Sequence, residues 1–269
     1  MKHLLFYLTI LTICSCNSSI DYQNPESVIK AYRTLRDENK IKESYELLSD
    51  TSKGMMSIEE YLKYFKRPDS ILNKWKYKTL KSEALINDPA KPNYRLVRIS
   101  EQLVYNNKDT TIGVLNYTLI KENQKWKVIW FPEAIDDISR LINDQRFEEA
   151  KQKYFNLLNI DPFNDEVLYQ ISTCYYYKND LDSAESYLKK SIFYIEDDFK
   201  KHNLLAAIYY KKGKSDLARE CLKKALTFAK QNRERAMIYS NLVEYDFQNS
   251  DYAHLWNTYT LIKLKKIQT

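Results

Sequence analysis

The chain has 269 residues, with 42 Lys+Arg against 36 Asp+Glu for a net charge of +6, and that length bounds it to one large or two modest globular domains. It holds only three glycines (Gly54, Gly113, Gly213) and three histidines (His3, His202, His254), all far apart in sequence. A phosphate-cradling loop needs clustered glycines, and a triad or metal site draws on histidine; nucleotide cofactors are excluded and no metal set is indicated.

Met1-Lys2-His3, an apolar run from Leu4 to Ile13 and small polar residues after it read as an export signal. The run is too short to cross a bilayer, which takes about 20 apolar residues. Ile13-Cys14-Ser15-Cys16 resembles a bacterial lipobox, and the resemblance implies cleavage before Cys16 and acylation of its thiol. Cys14 is the poorer acceptor because bulky Ile13 precedes it; the alternative is an ordinary signal peptide with an incidental cysteine. Residues 1–16 are thus read as signal peptide and lipidation site, and 17–23 as a polar tether. The expected location is the bacterial cell envelope, lipid-anchored on a periplasmic or surface face. Export and interspersed charge together argue against nucleic acid as a partner. Cys174 and Cys221 could bridge in an oxidising compartment, but two buried thiols are the favoured reading.

Residues 24–132 read as an α+β domain. Asn24-Pro25-Glu26-Ser27 opens a helix carrying Val28, Tyr32 and Leu35 on one face. Tyr45, Leu47 and Leu48 suggest a second short helix, with Asp50 near its end as a surface turn residue. A capping box at Ser57–Glu60 opens a third. Four β-rich segments follow, roughly Trp75–Asn87, Tyr94–Tyr105, Thr110–Lys121 and Lys125–Phe131, joined by short turns as an antiparallel meander. The element order, Tyr45-Glu46-Leu47-Leu48-Ser49 and the last strand Lys125-Trp126-Lys127-Val128 resemble the nuclear-transport-factor-like cone fold. Some members of that fold are isomerases or dehydratases with an acid inside the cone, sometimes paired with histidine. Alternation puts Glu101 on one face with Val97, Ile99, Leu103 and Tyr105, the one acid in line with a buried face. In an apolar pocket it could serve as a general base. Otherwise the strand bends or bulges there, or Glu101 faces a lysine on the open surface. Trp126 and Trp130 read as core.

Residues 133–269 carry an internal repeat. Ala150, Ala184 and Ala218 recur every 34 residues, each four before a large residue (Tyr154, Leu188, Leu222) and seven before Leu157, Ser191 or Ala225. Upstream registers are Leu141, Tyr175, Tyr209 and Asp137, Ile171, Leu205. Asn179 and Gly213 fall where an inter-helix turn needs positive φ. The period resembles the tetratricopeptide repeat, with units about 131–164, 165–198, 199–232 and a divergent last unit 233–269 whose apolar residues are Leu242, Val243, Tyr252, Leu255, Trp256 and Tyr259. Asp137, in place of a large residue, departs from the pattern.

Such repeats bind an extended peptide or helix in a groove lined by the first helix of each pair. The resemblance transfers groove-facing positions to Glu166, Tyr169, Thr173, Tyr176 and Tyr177 in the second unit. In the third it gives Lys200, Asn203, Ala207, Tyr210 and Lys211. Tyrosines anchor peptides by aromatic contact, and two lysines favour an acidic one; the alternative is that half of the tyrosines pack between units. The preferred function is a non-enzymatic, envelope-anchored scaffold whose partner is another envelope protein or peptide. The alternative is a small-molecule-binding or acid/base-catalytic cone domain acting through Glu101, with the repeats serving assembly.

Overall fold

A computed structural model describes residues 20–65, 75–86, 88–105, 109–248 and His254. The export signal with Cys16, the second strand turn at 106–108, and Tyr252, Leu255, Trp256 and Tyr259 lie outside the described residues.

Helix α1 (Pro25–Asp37) starts on Asn24, whose side-chain oxygen accepts from the N–H groups of Glu26 and Ser27 at 2.8 and 3.2 Å. The expected second helix divides in two, α2 (Ile41–Tyr45) and α3 (Asp50–Met55). Between them Leu47 and Leu48 sit in a turn, and Leu48 bridges Val128 on the last strand. The break has a local cause: the Ser49 hydroxyl accepts from the Ser52 N–H at 3.1 Å and starts a new helix. Asp50 therefore opens α3 rather than closing α2. Helix α4 (Ile58–Phe65) has the anticipated reciprocal cap, Ser57 N–H to Glu60 at 2.8 Å and Glu60 N–H to Ser57 Oγ at 3.2 Å.

Strands β1 (Trp75–Ile86), β2 (Tyr94–Tyr105), β3 (Asp109–Glu122) and β4 (Lys125–Val128) form one antiparallel sheet in the order β1-β2-β3-β4. Val97 pairs with Tyr117 and Ile99 with Leu115, which fixes the two faces. One face, through Val97, Ile99, Tyr117, Leu119 and Trp126, packs on Val28, Ile29, Tyr32, Tyr61 and Phe65 of the helices. Strand β4 stops at Val128, three residues short of the expected Phe131, because Ile129 and Phe131 turn out of the sheet into the next core.

Pro132 then begins the helical half: α5 (Pro132–Asn143), α6 (Phe147–Ile160), α7 (Asp165–Tyr177), α8 (Leu181–Tyr194), α9 (Phe199–Lys211), α10 (Ser215–Phe228) and α11 (Asn232–Gln248). The three alanines of the repeat are fully buried, as are Tyr154, Leu188 and Leu222, so small side chains admit the neighbouring helix and large ones fill beside them. Each pair turns on a residue with positive φ: Gln145 (60°), Asn179 (60°) and Gly213 (70°). Asp137, the departure from pattern, is exposed. Successive first helices (α5, α7, α9, α11) lie alongside one another while second helices stay further apart, so the first helices line the inner wall.

Part of the second face of the sheet is also covered. Ile129, Phe131, Tyr94 and Ile120 join Ile138, Tyr154 and Ile171 in the core of the first pair. Arg98 and Asn116 both donate to the Tyr194 carbonyl at the end of α8, at 3.0 and 2.9 Å.

Candidate functional site

Glu101 is 3% exposed, on the helix-covered face that alternation indicates. Its Oε2 lies 2.5 Å from Nη2 of Arg33, projected from α1. Glu101 thus faces a buried arginine, not a lysine on the open surface, and the pairing of β1 with β2 is irregular beside it, between Thr79 and Lys81. One carboxylate oxygen that proton abstraction would use is engaged by a guanidinium that does not deprotonate near neutral pH. The arrangement is a buried ion pair rather than a free base.

The inner-wall positions divide by how far their neighbours occupy them. Tyr169 is half-buried, its hydroxyl pushed up to about 12 by burial, and its carbonyl accepts from the Thr173 hydroxyl at 3.0 Å. Asn203 accepts from the Asn241 amide on α11 at 2.7 Å. Tyr210 stacks on Tyr245 with centroids 4.0 Å apart and donates to Gln248, so α11 covers this part of the wall. Tyr176 carries the Lys211 ammonium 4.1 Å from its ring centroid, a cation–π contact. Lys200 is exposed at the start of α9, and Ala207 is half-buried. Tyr177 stands apart: it is 56% exposed and stacks on Phe147 at 4.9 Å.

Two cavities lie toward opposite ends of α7. An open one of about 570 Å³ is bounded by Ile142, Asn143, Gln145, Phe147 and Tyr177. Ile142 and Asn143 were not singled out from sequence, yet they precede Tyr176 and Tyr177 by one 34-residue period, so the repeat itself held the signal. The second, of about 300 Å³, lies where the sheet meets α5 and the start of α7; its walls include Leu96, Trp130, Ile135 and Phe163. Asp161, Asp165 and Glu166 also line it. Asp161 is 5% exposed and its carboxyl is pushed up to about 6 by burial, against the opposing pull of the Thr118 hydroxyl, the Asn164 amide and the Phe163 N–H. Burial likewise raises Glu166, which accepts from the Gln170 amide at 2.8 Å. Asp165 is paired with buried Lys201 at 2.5 Å, which also reaches the Ile195 carbonyl at 3.3 Å and so ties the second pair to the third.

Cys174 and Cys221 are free, buried thiols, each pushed up to about 11 by burial, so neither is a reactive nucleophile. Among the described residues no cluster of His, Cys, Asp and Glu could hold a metal ion, and no helix is long and apolar enough to cross a membrane.

Against known proteins, no curated protein matches the chain. In solved structures the chain is similar to MamA at 19% identity, covering 46% of this chain and 70% of that one with a TM-score of 0.41. It is similar to PilF of Pseudomonas aeruginosa at 17% identity, covering 50% and 59% with a TM-score of 0.40. Similarity to the type III secretion translocator chaperone SycD of Yersinia enterocolitica is 13%, covering 44% and 84% with a TM-score of 0.41. The tetratricopeptide repeat family matches residues 165–193 and 202–232, and the helical half of this chain contains tetratricopeptide repeats.

Proposed function

We propose that the protein is a non-enzymatic scaffold whose repeat wall binds an extended segment of another envelope protein, held at the membrane by acyl chains on Cys16. The observation that carries this reading is Tyr177, a large aromatic left 56% exposed on the inner wall beside an open cavity. Exposed aromatic area of that kind is costly in water and is what peptide anchors seat against. The Asn143 and Gln145 amides beside it supply donors and acceptors for a peptide backbone. The cone domain, with Glu101 committed to Arg33, positions the repeats or contacts a second partner.

Affinity purification of the acylated protein from its own envelope, followed by mass spectrometry, tests the reading. Tyr176→Ala with Tyr177→Ala should lose the co-purified partner while the helical circular dichroism is retained. If every partner stays bound, the wall is not the binding surface. Anchoring is tested separately: Cys16→Ser should abolish labelling by radioactive palmitate and move the protein to the soluble fraction.

A further inference from the structure

The junction cavity differs from the rest of the wall in its charge. None of the described residues lining it is Lys, Arg or His, while three are carboxylates. Lys201 pairs with Asp165 and, with Lys200, also acts on Glu166, so three carboxylates face two ammonium groups. The hydrogen bonds to Asp161 and Glu166 come from neutral donors, a hydroxyl, two side-chain amides and a backbone N–H. The neighbouring Arg98 is engaged with the Asn116 side chain and the Tyr194 carbonyl. Leu96, Trp130, Phe131, Ile135 and Phe163 make the walls apolar. A site with apolar sides, an excess of carboxylates over ammonium groups and one acid, Asp161, met by neutral donors suits a cation on a hydrocarbon stem, since the stem is buried and the head is paired.

The cavity also belongs to the repeat wall. Glu166 is a groove-facing position, and Pro132 and Ile135, which line the cavity, precede Glu166 and Tyr169 by one 34-residue period. From Glu166 to Tyr177 is eleven residues of α7, about 17 Å at 1.5 Å per residue. An extended chain covers that distance in about five residues.

Resting on the scaffold reading above, we infer that the junction cavity receives a lysine or arginine side chain of the bound segment, about five residues from the side chain that seats on Tyr177 and Phe147. The segment is thus defined by an aromatic or apolar anchor and a basic anchor at fixed separation. Lys200, one period after Glu166 and acting on it, and Lys211 lie on the third unit and accept acidic residues further along the segment.

The test uses the full chain and acetylated, amidated 12-residue peptides carrying one tryptophan and, three to eight positions away, a lysine, arginine, norleucine or glutamate. Fluorescence anisotropy should give at least about tenfold tighter binding for lysine or arginine than for norleucine at separations of four to six, about 1.4 kcal/mol. Glu166→Gln should erase that preference and leave norleucine peptides unchanged. Equal affinity for lysine and norleucine overturns the inference; if those peptides still need Tyr177, the scaffold reading survives it. A second measurement is independent of peptide binding. N-acetyl-arginine amide, but not N-acetyl-norleucine amide, should shift the side-chain amide resonances of Asn116 and Asn164. Unmoved resonances overturn the inference by themselves. Arginine-dependent shifts with no peptide bound in a Tyr177-dependent way overturn the scaffold reading instead.

Discussion

Arg33 and Glu101 come from α1 and β2, 68 residues apart in sequence, and meet with side chains 6% and 4% exposed. Removing one member of a buried pair costs about 3–5 kcal/mol when the other's charge is stranded, and less where a second acid acts on it as Asp37 does on Arg33, while replacing both by apolar groups is often neutral. Glu101→Ala should therefore lower the urea midpoint followed by tryptophan fluorescence, and Arg33→Met with Glu101→Leu should restore most of it. A single variant as stable as the parent would show that the pair contributes nothing. The burial of Glu101 was legible from strand alternation, but Arg33 was not, because no local pattern reports a contact across that separation. Asp161 gives a pH dependence of defined sign. Its carboxyl titrates near 6 when folded against 3.8 in the reference state, with Asp165, Tyr94 and Tyr194 as the acidic groups facing it and Lys201 beyond Asp165. The folded state then binds more protons than the unfolded one between those values, so stability from this group rises as pH falls through the window. Roughly two units at 1.36 kcal/mol each give up to about 3 kcal/mol. Wild type should gain that much over Asp161→Asn between pH 7.5 and 4, measured by urea unfolding. A constant difference across the range would overturn the assignment.

At the level of elements, the repeats were legible because their determinants are local and recur: the buried alanines, the large residues four positions on, and the turns at Asn179 and Gly213. Gln145 escaped notice in the same turn position because glutamine carries no signal for positive φ, although it adopts 60° there. That difference makes a paired prediction. At Gly213, φ is +70° and an added Cβ would meet no atom within 4 Å, so Gly213→Ala costs only backbone strain, about 1 kcal/mol. At Gln145 the reverse change relieves the same strain, and Gln145→Gly should stabilise by about 0.5–1 kcal/mol, less the entropy glycine adds to the unfolded chain. Thermal unfolding followed at 222 nm would show melting shifts of opposite sign; two shifts of the same sign would refute the shared turn geometry. Elements whose boundaries were misjudged depend on side-chain competition or distant packing. Ser49 splits α2 from α3, and Phe131 leaves the sheet because an apolar core is waiting for it. In the third unit Tyr210 and Asn203 pack on the next unit, as the alternative for half of the tyrosines has it, with Tyr245 and Asn241 of α11 as their neighbours.

Over the whole molecule, the sheet serves two cores at once, with the helices on one face and the first repeat on the other. A stack of repeats has an apolar end that must be sealed, usually by an atypical polar terminal unit. Here Ile129, Phe131, Tyr94 and Ile120 seal it, so the sheet acts as the N-terminal cap of the solenoid. The cavity with carboxylates lies at this junction, its lining shared between the sheet, through Leu96 and Thr118, and the helical half, through Ile135 and Phe163. It follows that the two halves should not unfold independently. Tryptophan fluorescence in a Trp256→Phe background, which leaves Trp75, Trp126 and Trp130 in the sheet half, and circular dichroism, dominated by the repeats, should trace one thermal transition. Truncating the cap removes buried apolar volume at about 2–5 kcal/mol per large side chain. Ile129→Ala with Phe131→Ala should then separate the two curves, the helical signal melting first because the first pair has lost its cover. If the curves remain superimposed in that variant, the sheet is not what seals the repeat stack, and the halves are joined through the Tyr194 carbonyl contacts from Arg98 and Asn116 instead.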